Sequence, residues 1–258
     1  MDKKIQDYPH LERLATKGYQ FYFSDYISKG IDIFKKDIGG FVGFTFLFFL
    51  MSSLASTIPF GSTLVTPVLM AGLYVVCRNI ISNQHHEFGE FFQGFNHFGQ
   101  LILVALASVV LTIIFILPLG IGAISAVTMG GLFSDGYVID SFSEISTISI
   151  IVILGIALPI IYLSIAWSWA PMFVVFYKMQ FWEAMEASRR ILSKNWWIFF
   201  AFTIITGIIA FMGIFGLLVG ILFTFPAAMC MHYVAFAEVV GLHHDEEMNS
   251  SIEDHLVE

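Results

Sequence analysis

Six runs of apolar residues dominate the chain, at about 39–57, 64–82, 100–127, 147–177, 196–213 and 216–240, and no Asp, Glu, Lys or Arg lies deep inside any of them. Each run can cross the hydrocarbon core of a bilayer, which takes roughly 20 residues of helix. Lipid offers no hydrogen bond to a bare backbone, so such a run must close its own N–H and C=O groups as an α-helix. That restricts the chain to one class: an all-α, polytopic membrane protein with six transmembrane helices. Composition agrees, since 12% of the residues are charged where a soluble domain carries about a quarter.

The runs also pair. STIPFGST joins the first two and little more than MGIFG the last two, so both pairs read as tight hairpins. The fourth run is too long for one straight crossing and holds Pro159 and Pro171, which predicts a tilted or kinked helix.

Sidedness follows from the basic residues. All twelve Lys and Arg fall in three places: seven between Lys3 and Lys36, Arg78 alone, and four between Lys178 and Lys194. Six crossings put these regions on one face, together with the acidic tail 241–258, and the positive-inside rule makes that face cytoplasmic. Both termini are then expected in the cytoplasm. The 128–146 loop, with Asp135, Asp140 and Glu144 and no basic residue, belongs outside. The net charge of −8 comes with no basic patch suited to nucleic acid. Residues 1–38 show no secretory leader, because no apolar core follows the first lysines.

An amphipathic stretch precedes each odd-numbered run. In the first, Tyr19, Tyr22, Phe23, Tyr26, Ile27 and Phe34 oppose Asp25, Lys29, Asp32 and Lys36. In the second, Phe88, Phe91, Phe92, Phe95 and Phe98 recur at helical spacing, and in the third Phe181, Trp182, Met185, Ile191 and Leu192 oppose Glu183, Glu186, Arg189, Arg190 and Lys194. The pattern predicts helices lying in the interface with their aromatic faces in lipid. After a cytoplasmic N-terminus at 1–18, the single membrane domain thus divides into three helical-hairpin units, 19–82, 87–177 and 181–240. The first and third also echo each other. At an offset of 159, TPVLMAGLY (66–74) lies over FPAAMCMHY (225–233), so that Pro67, Met70 and Tyr74 coincide with Pro226, Met229 and Tyr233. Lys36-Asp37 matches Lys194-Asn195 at an offset of 158. Both units start from the cytoplasm, so this is a parallel repeat with its axis along the membrane normal.

The segment FWEAMEASRRILSKNWWIFFAF, followed by GILFTFPAAMCMHYVAFAEVVG, resembles a group of uncharacterised six-span bacterial inner-membrane proteins. That group includes the membrane domain fused to some glycerophosphodiester phosphodiesterases. The shared pattern is an amphipathic EA…S…L.K.NWW helix, a span, a Gly-rich turn, then a proline and an aromatic-rich last span. The resemblance implies a bacterial inner-membrane location. It implies no phosphodiesterase chemistry, for residues 1–258 hold no such soluble domain.

Candidate sites are few. His232 is the one histidine inside a run. An intramembrane imidazole is either a proton relay or metal ligand, or a neutral ring bonded to a neighbouring helix. Trp167 and Trp169, beside Pro171, are candidates with His232 and Tyr233 for lining a pocket that takes an apolar molecule. Two clusters combine imidazole with carboxylate: His85, His86, Glu87 and Glu90 in HHEFGE, and His243, His244 and Asp245 in HHDEE. Such sets suit Zn²⁺ or Ni²⁺, but neither holds a recognised ligand motif such as HExxH, and a solvated acidic surface is the leading reading of both. Glu238 is expected to reach headgroup water or a basic partner. Cys77 and Cys230 both sit in apolar runs, which implies no disulfide framework. There is no GxSxG, P-loop or GxGxxG motif, and no cofactor is implied.

The expectation is therefore a non-enzymatic membrane protein that binds lipid, a membrane-protein partner or a second copy of itself. The alternatives are a transporter or flippase-like carrier of a lipophilic solute, and a metal-dependent membrane enzyme.

Overall fold

A computed structural model describes residues 5–84, 86–133, 154–155, 157–216 and 219–242. Among these the chain is helical, without strands. The helices are α1 (Pro9–Lys17), α2 (Phe23–Lys36), α3 (Ile38–Ala55), α4 (Gly61–Ile81), α5 (Phe98–Phe133), α6 (157–166), α7 (Ala170–Phe176), α8 (Phe181–Leu192), α9 (Trp196–Met212) and α10 (Ile221–Val240). Six segments of the described residues are long and apolar enough to cross a membrane: Ile38–Ala55, Gly61–Ile81, Phe88–Pro118, Ala157–Phe176, Phe181–Gly216 and Ile221–Val240. The helix α5 continues to Phe133, into the expected external loop, most of which lies outside the described residues.

The six divide into inner and outer helices. In the most apolar stretch of each, 61% of Gly61–Ile81, 50% of Ala157–Phe176 and 67% of Ile221–Val240 is buried, against 22%, 18% and 22% of the stretches carrying α3, α5 and α9. The second, fourth and sixth in chain order are thus the inner ones. Across the centre, α4 meets α10 and α7. The chain's two cysteines touch there, with Cys77 Sγ 3.4 Å from Cys230 Sγ and both buried.

Three shorter elements pack on these inner helices: α2 on α10, the 3-10 run Phe88–His97 on α4, and α8 on α7. Their apolar faces therefore meet protein where lipid was expected. Tyr26 and Phe91 are buried, whereas Tyr22, Phe88, Phe95 and Trp182 stay exposed. The Phe88–His97 run is a 3-10 helix, although its phenylalanines also fit an α-helical period. With three residues per turn, Phe91 and Gly94 share one face, and both are buried. That face lies so close to α4 that a Cβ on Gly72 would overlap the Phe91 carbonyl oxygen, and one on Gly94 the Val68 carbonyl oxygen. Gly30 likewise allows α2 a close approach to α10, for a Cβ there would stand 2.6 Å from the Cα of Met231.

Local chemistry explains the breaks. The Asp37 carboxylate accepts the Gly40 N–H at 2.9 Å and so caps α3. Pro171 falls in the first turn of α7, where a missing N–H costs nothing, and the preceding helix gives way to a turn at 167–169. Ser188 of α8 mends this break: its hydroxyl donates to the Ala166 carbonyl at 2.6 Å and accepts the Trp169 N–H at 3.2 Å. The α9–α10 hairpin is tied by Thr224, whose hydroxyl donates to the Ala210 carbonyl at 2.7 Å.

Candidate functional site

Of the four residues expected to line a pocket, Trp169 and Tyr233 fall within a packed aromatic cluster. Trp169 is fully buried, edge-on to Phe199 and Phe236 at centroid distances of 5.1 and 5.5 Å. Tyr233 is also fully buried, between Tyr74 at 6.4 Å and Phe176 at 5.7 Å. Phe176 and Phe236 are themselves in ring contact, so the two residues share one cluster. Trp167 is half-buried against the hydrophobic core. With no exposed surface, Trp169 and Tyr233 face no open cavity.

His232 turns the other way, towards α9. Its Nε2 lies 2.9 Å from the Thr206 hydroxyl, and its ring packs on Phe202 and Phe199 at 5.2 and 6.0 Å. Thr206 also donates to its own helix at Phe202 O, 2.9 Å away. The run that carries α9 holds two threonines, Thr203 and Thr206, so the sequence narrowed this partner to a pair without choosing between them. Replacing Thr206 by valine keeps the shape and removes the imidazole's partner, so detergent-solubilised protein should lose about 1 kcal/mol of stability, read as a lowered melting temperature.

Of the two His-acid clusters, the structure describes only part. His86 Nε2 lies 3.3 Å from Asp37 Oδ2, the residue that caps α3, and Glu87 is exposed. Glu90 accepts from the side chain of Asn79, a buried amide on α4. His85, His243, His244 and Asp245 lie outside the described residues. Among those described, no group of three or more His, Cys, Asp or Glu side chains is placed to hold a metal ion. Arg78 stands over the Phe176 ring at 5.7 Å, and Glu238 forms an ion pair with Lys29 of α2. Headgroup water was the leading expectation for Glu238, and the structure gives it a basic partner, Lys29.

Among the clefts formed by the described residues, two lie beside the basic residues of α2 and α8. The first, of about 320 Å³, lies between α2, α4 and α10, with Ile33, Ile81, Val234 and Ala237 as its apolar lining and Lys29, Asp32, Lys36 and Glu238 as its charges. These charges balance, and the Lys29–Glu238 pair spans the cleft. The second, of about 430 Å³, lies between α1 and α8 and is lined by Ala15, Thr16, Arg189, Arg190, Ser193 and Lys194. Glu186 neutralises Arg189 through paired bonds of 2.8 and 2.7 Å. Arg190 and Lys194 have no ion-pair partner among the described residues. Nearby, the Asn195 side chain donates to the Tyr19 carbonyl, joining α8 to the segment after α1. Burial, and then the neighbouring Tyr26, raise the pKa of the Tyr19 hydroxyl, so it stays neutral.

These placements account for the polar residues of the EA…S…L.K.NWW segment: Ser188 mends a helix break, Asn195 holds the α1–α2 link, and Lys194 lines a cleft. No family model, curated protein or solved structure matches the chain.

Proposed function

We propose that the chain is a non-enzymatic, six-span protein of the bacterial inner membrane, with both termini in the cytoplasm, that binds membrane lipid at a cytoplasmic collar. The collar comprises α1, α2, the Phe88–His97 run and α8. The observation that carries this reading is that collar residues line both clefts, joined in the first by the ends of α4 and α10, while Trp169 and Tyr233 are sealed in aromatic packing. The distribution of basic residues supports the sidedness, and the resemblance of the 181–240 segment supports the bacterial location.

Within this reading the chain is built of three units, each an interfacial element, an outer span and an inner span. Each interfacial element packs on the inner span of the preceding unit, and α2 of the first packs on α10 of the last. This closes a ring. One pair of equivalent residues of the first and third units meets across the centre, where Tyr74 and Tyr233 stack at 6.4 Å. Residues near a rotation axis behave in this way. Gly30 and Ser188, the tight contacts of α2 and α8, are 158 positions apart, the offset that relates Asp37 to Asn195.

Native mass spectrometry of the full chain, released from membranes in gentle detergent, tests the function. Phospholipid retained on the protein in stoichiometric amount is the expected result. A protein that sheds all lipid under conditions preserving its fold contradicts it.

A further inference from the structure

We propose that the cleft between α1 and α8 takes the phosphodiester of an anionic phospholipid, with Arg190 and Lys194 as its charged ligands. The inference rests on the reading that the collar binds lipid, and it names which lipid chemistry and where.

Charge is the first argument. The α2–α10 cleft carries two lysines against Asp32 and Glu238, so it has no net attraction for an anion. The α1–α8 cleft carries three cations and no acid among its lining residues, and only Arg189 is neutralised, by Glu186. Two positive charges remain for the single negative charge of a phosphodiester. Geometry adds to this. Glu186 fixes the Arg189 guanidinium by two parallel bonds, which leaves the half-buried Arg190 to offer its planar fork to a phosphate. Lys194 supplies a point charge beside it, and the Ser193 hydroxyl stands in the same lining, 3.0 Å from the Tyr162 hydroxyl.

Depth decides between a lipid and a soluble phosphate. Lys194 is two residues before Trp196 and three before Trp197, and Trp197 is 75% exposed at the start of α9. Exposed tryptophans sit at headgroup level. The outer face of α9 continues from there with Ile204, Ile208 and Phe211 exposed, and acyl chains can lie along it. A headgroup in the cleft is thus covalently continuous with chains that have an apolar track to follow.

The test uses the full-length protein in detergent, with phosphatidylglycerol, phosphatidylcholine and inorganic phosphate as probes, titrated by native mass spectrometry. Each basic side chain near an anionic lipid surface contributes a factor of about five to affinity. The unmodified protein should prefer phosphatidylglycerol, and the Arg190→Gln/Lys194→Gln variant should bind it about 25-fold more weakly with phosphatidylcholine binding unchanged. Lys29→Gln, in the other cleft, should leave that preference intact. Equal affinity for the two lipids, or a preference that survives the double substitution, overturns the inference while the collar reading stands. Inorganic phosphate displacing the lipid at matched concentration overturns the lipid source. Loss of every lipid from the unmodified protein overturns the collar reading itself. Melting temperatures measured alongside show that the variants remain folded, since neither side chain is buried.

Discussion

Gly72→Val should destabilise the protein by on the order of 3 kcal/mol, a large share of the stability of an ordinary domain. The reason is what the new side chain meets. A Cβ at position 72 overlaps the carbonyl oxygen of Phe91, which is backbone and cannot swing aside. Relief requires the Phe88–His97 run to lift off α4, which withdraws Phe91 from its stacked contact with Phe44, 4.7 Å away, and its edge contact with Phe41 at 5.5 Å. It also strains the bond between Asn79 and Glu90, leaving a buried amide without its partner. The matched control is Gly207→Ala on α9, where no atom lies within 4 Å of the added Cβ. That change should be neutral or should stabilise by up to about 1 kcal/mol through helix propensity. Thermal unfolding in one detergent, with the two variants side by side, checks both signs. Equal melting temperatures would remove the close approach of the 3-10 run to α4.

Trp169→Ala is expected to cost about 3–5 kcal/mol, the range for emptying a buried aromatic site. Trp169 fills the point where the α6–α7 break, α9 and α10 converge, between Phe199 and Phe236. Its own backbone N–H is held by Ser188. Collapse around an alanine there must shift the break itself. A tryptophan that merely lined a ligand cavity would be removed at little cost in the empty protein and at large cost in binding. Melting temperature and lipid retention, measured on the same preparation, separate these roles: loss of stability without a selective loss of lipid is the expected outcome. A protein as stable as the original that no longer binds lipid would make Trp169 a ligand contact.

What the amino-acid sequence reveals of this architecture is what the bilayer itself enforces. Span positions, the tight turns and the grouping of basic residues all follow from one-dimensional constraints, and so does the break near Pro171, where the fourth run is interrupted by a turn at 167–169. Which face of each span is buried was not legible. Mean hydropathy separates the two sets, at 1.7, 1.7 and 1.3 for the inner stretches against 1.9, 2.9 and 2.5 for the outer ones, but residues facing lipid and residues facing protein are both apolar, so it does not mark which face of a given span is buried. The same ambiguity affects the collar. The periodicity of Tyr26, Ile33 and Phe34 identifies an apolar face but cannot say that α10, from the other end of the chain, covers it.

The polar partners follow the same rule. Thr206 with His232, Lys29 with Glu238, and Cys77 with Cys230 are separated by 26, 209 and 153 residues. Such pairs are set by helix packing and have no local signature. Of the proposed lipid site, the basic residues of α8 were visible as one side of an amphipathic stretch. That Glu186 claims Arg189 and leaves Arg190 and Lys194 unmatched depends on side-chain placement.

Closure of the ring, α2 of the first unit against α10 of the last, is the claim on which the collar depends. It can be measured directly in a chain whose Cys77 and Cys230 are replaced by alanine and which carries Lys29→Cys and Glu238→Cys. These two side chains form an ion pair and are 55% and 33% exposed, so both introduced thiols are open to reagent. A short bismaleimide applied to native membranes should join them within one chain, giving a monomer whose tryptic peptides from α2 and α10 are covalently linked. Thiols that each take the reagent singly, with no linked peptide, or that link only different chains, would contradict the ring.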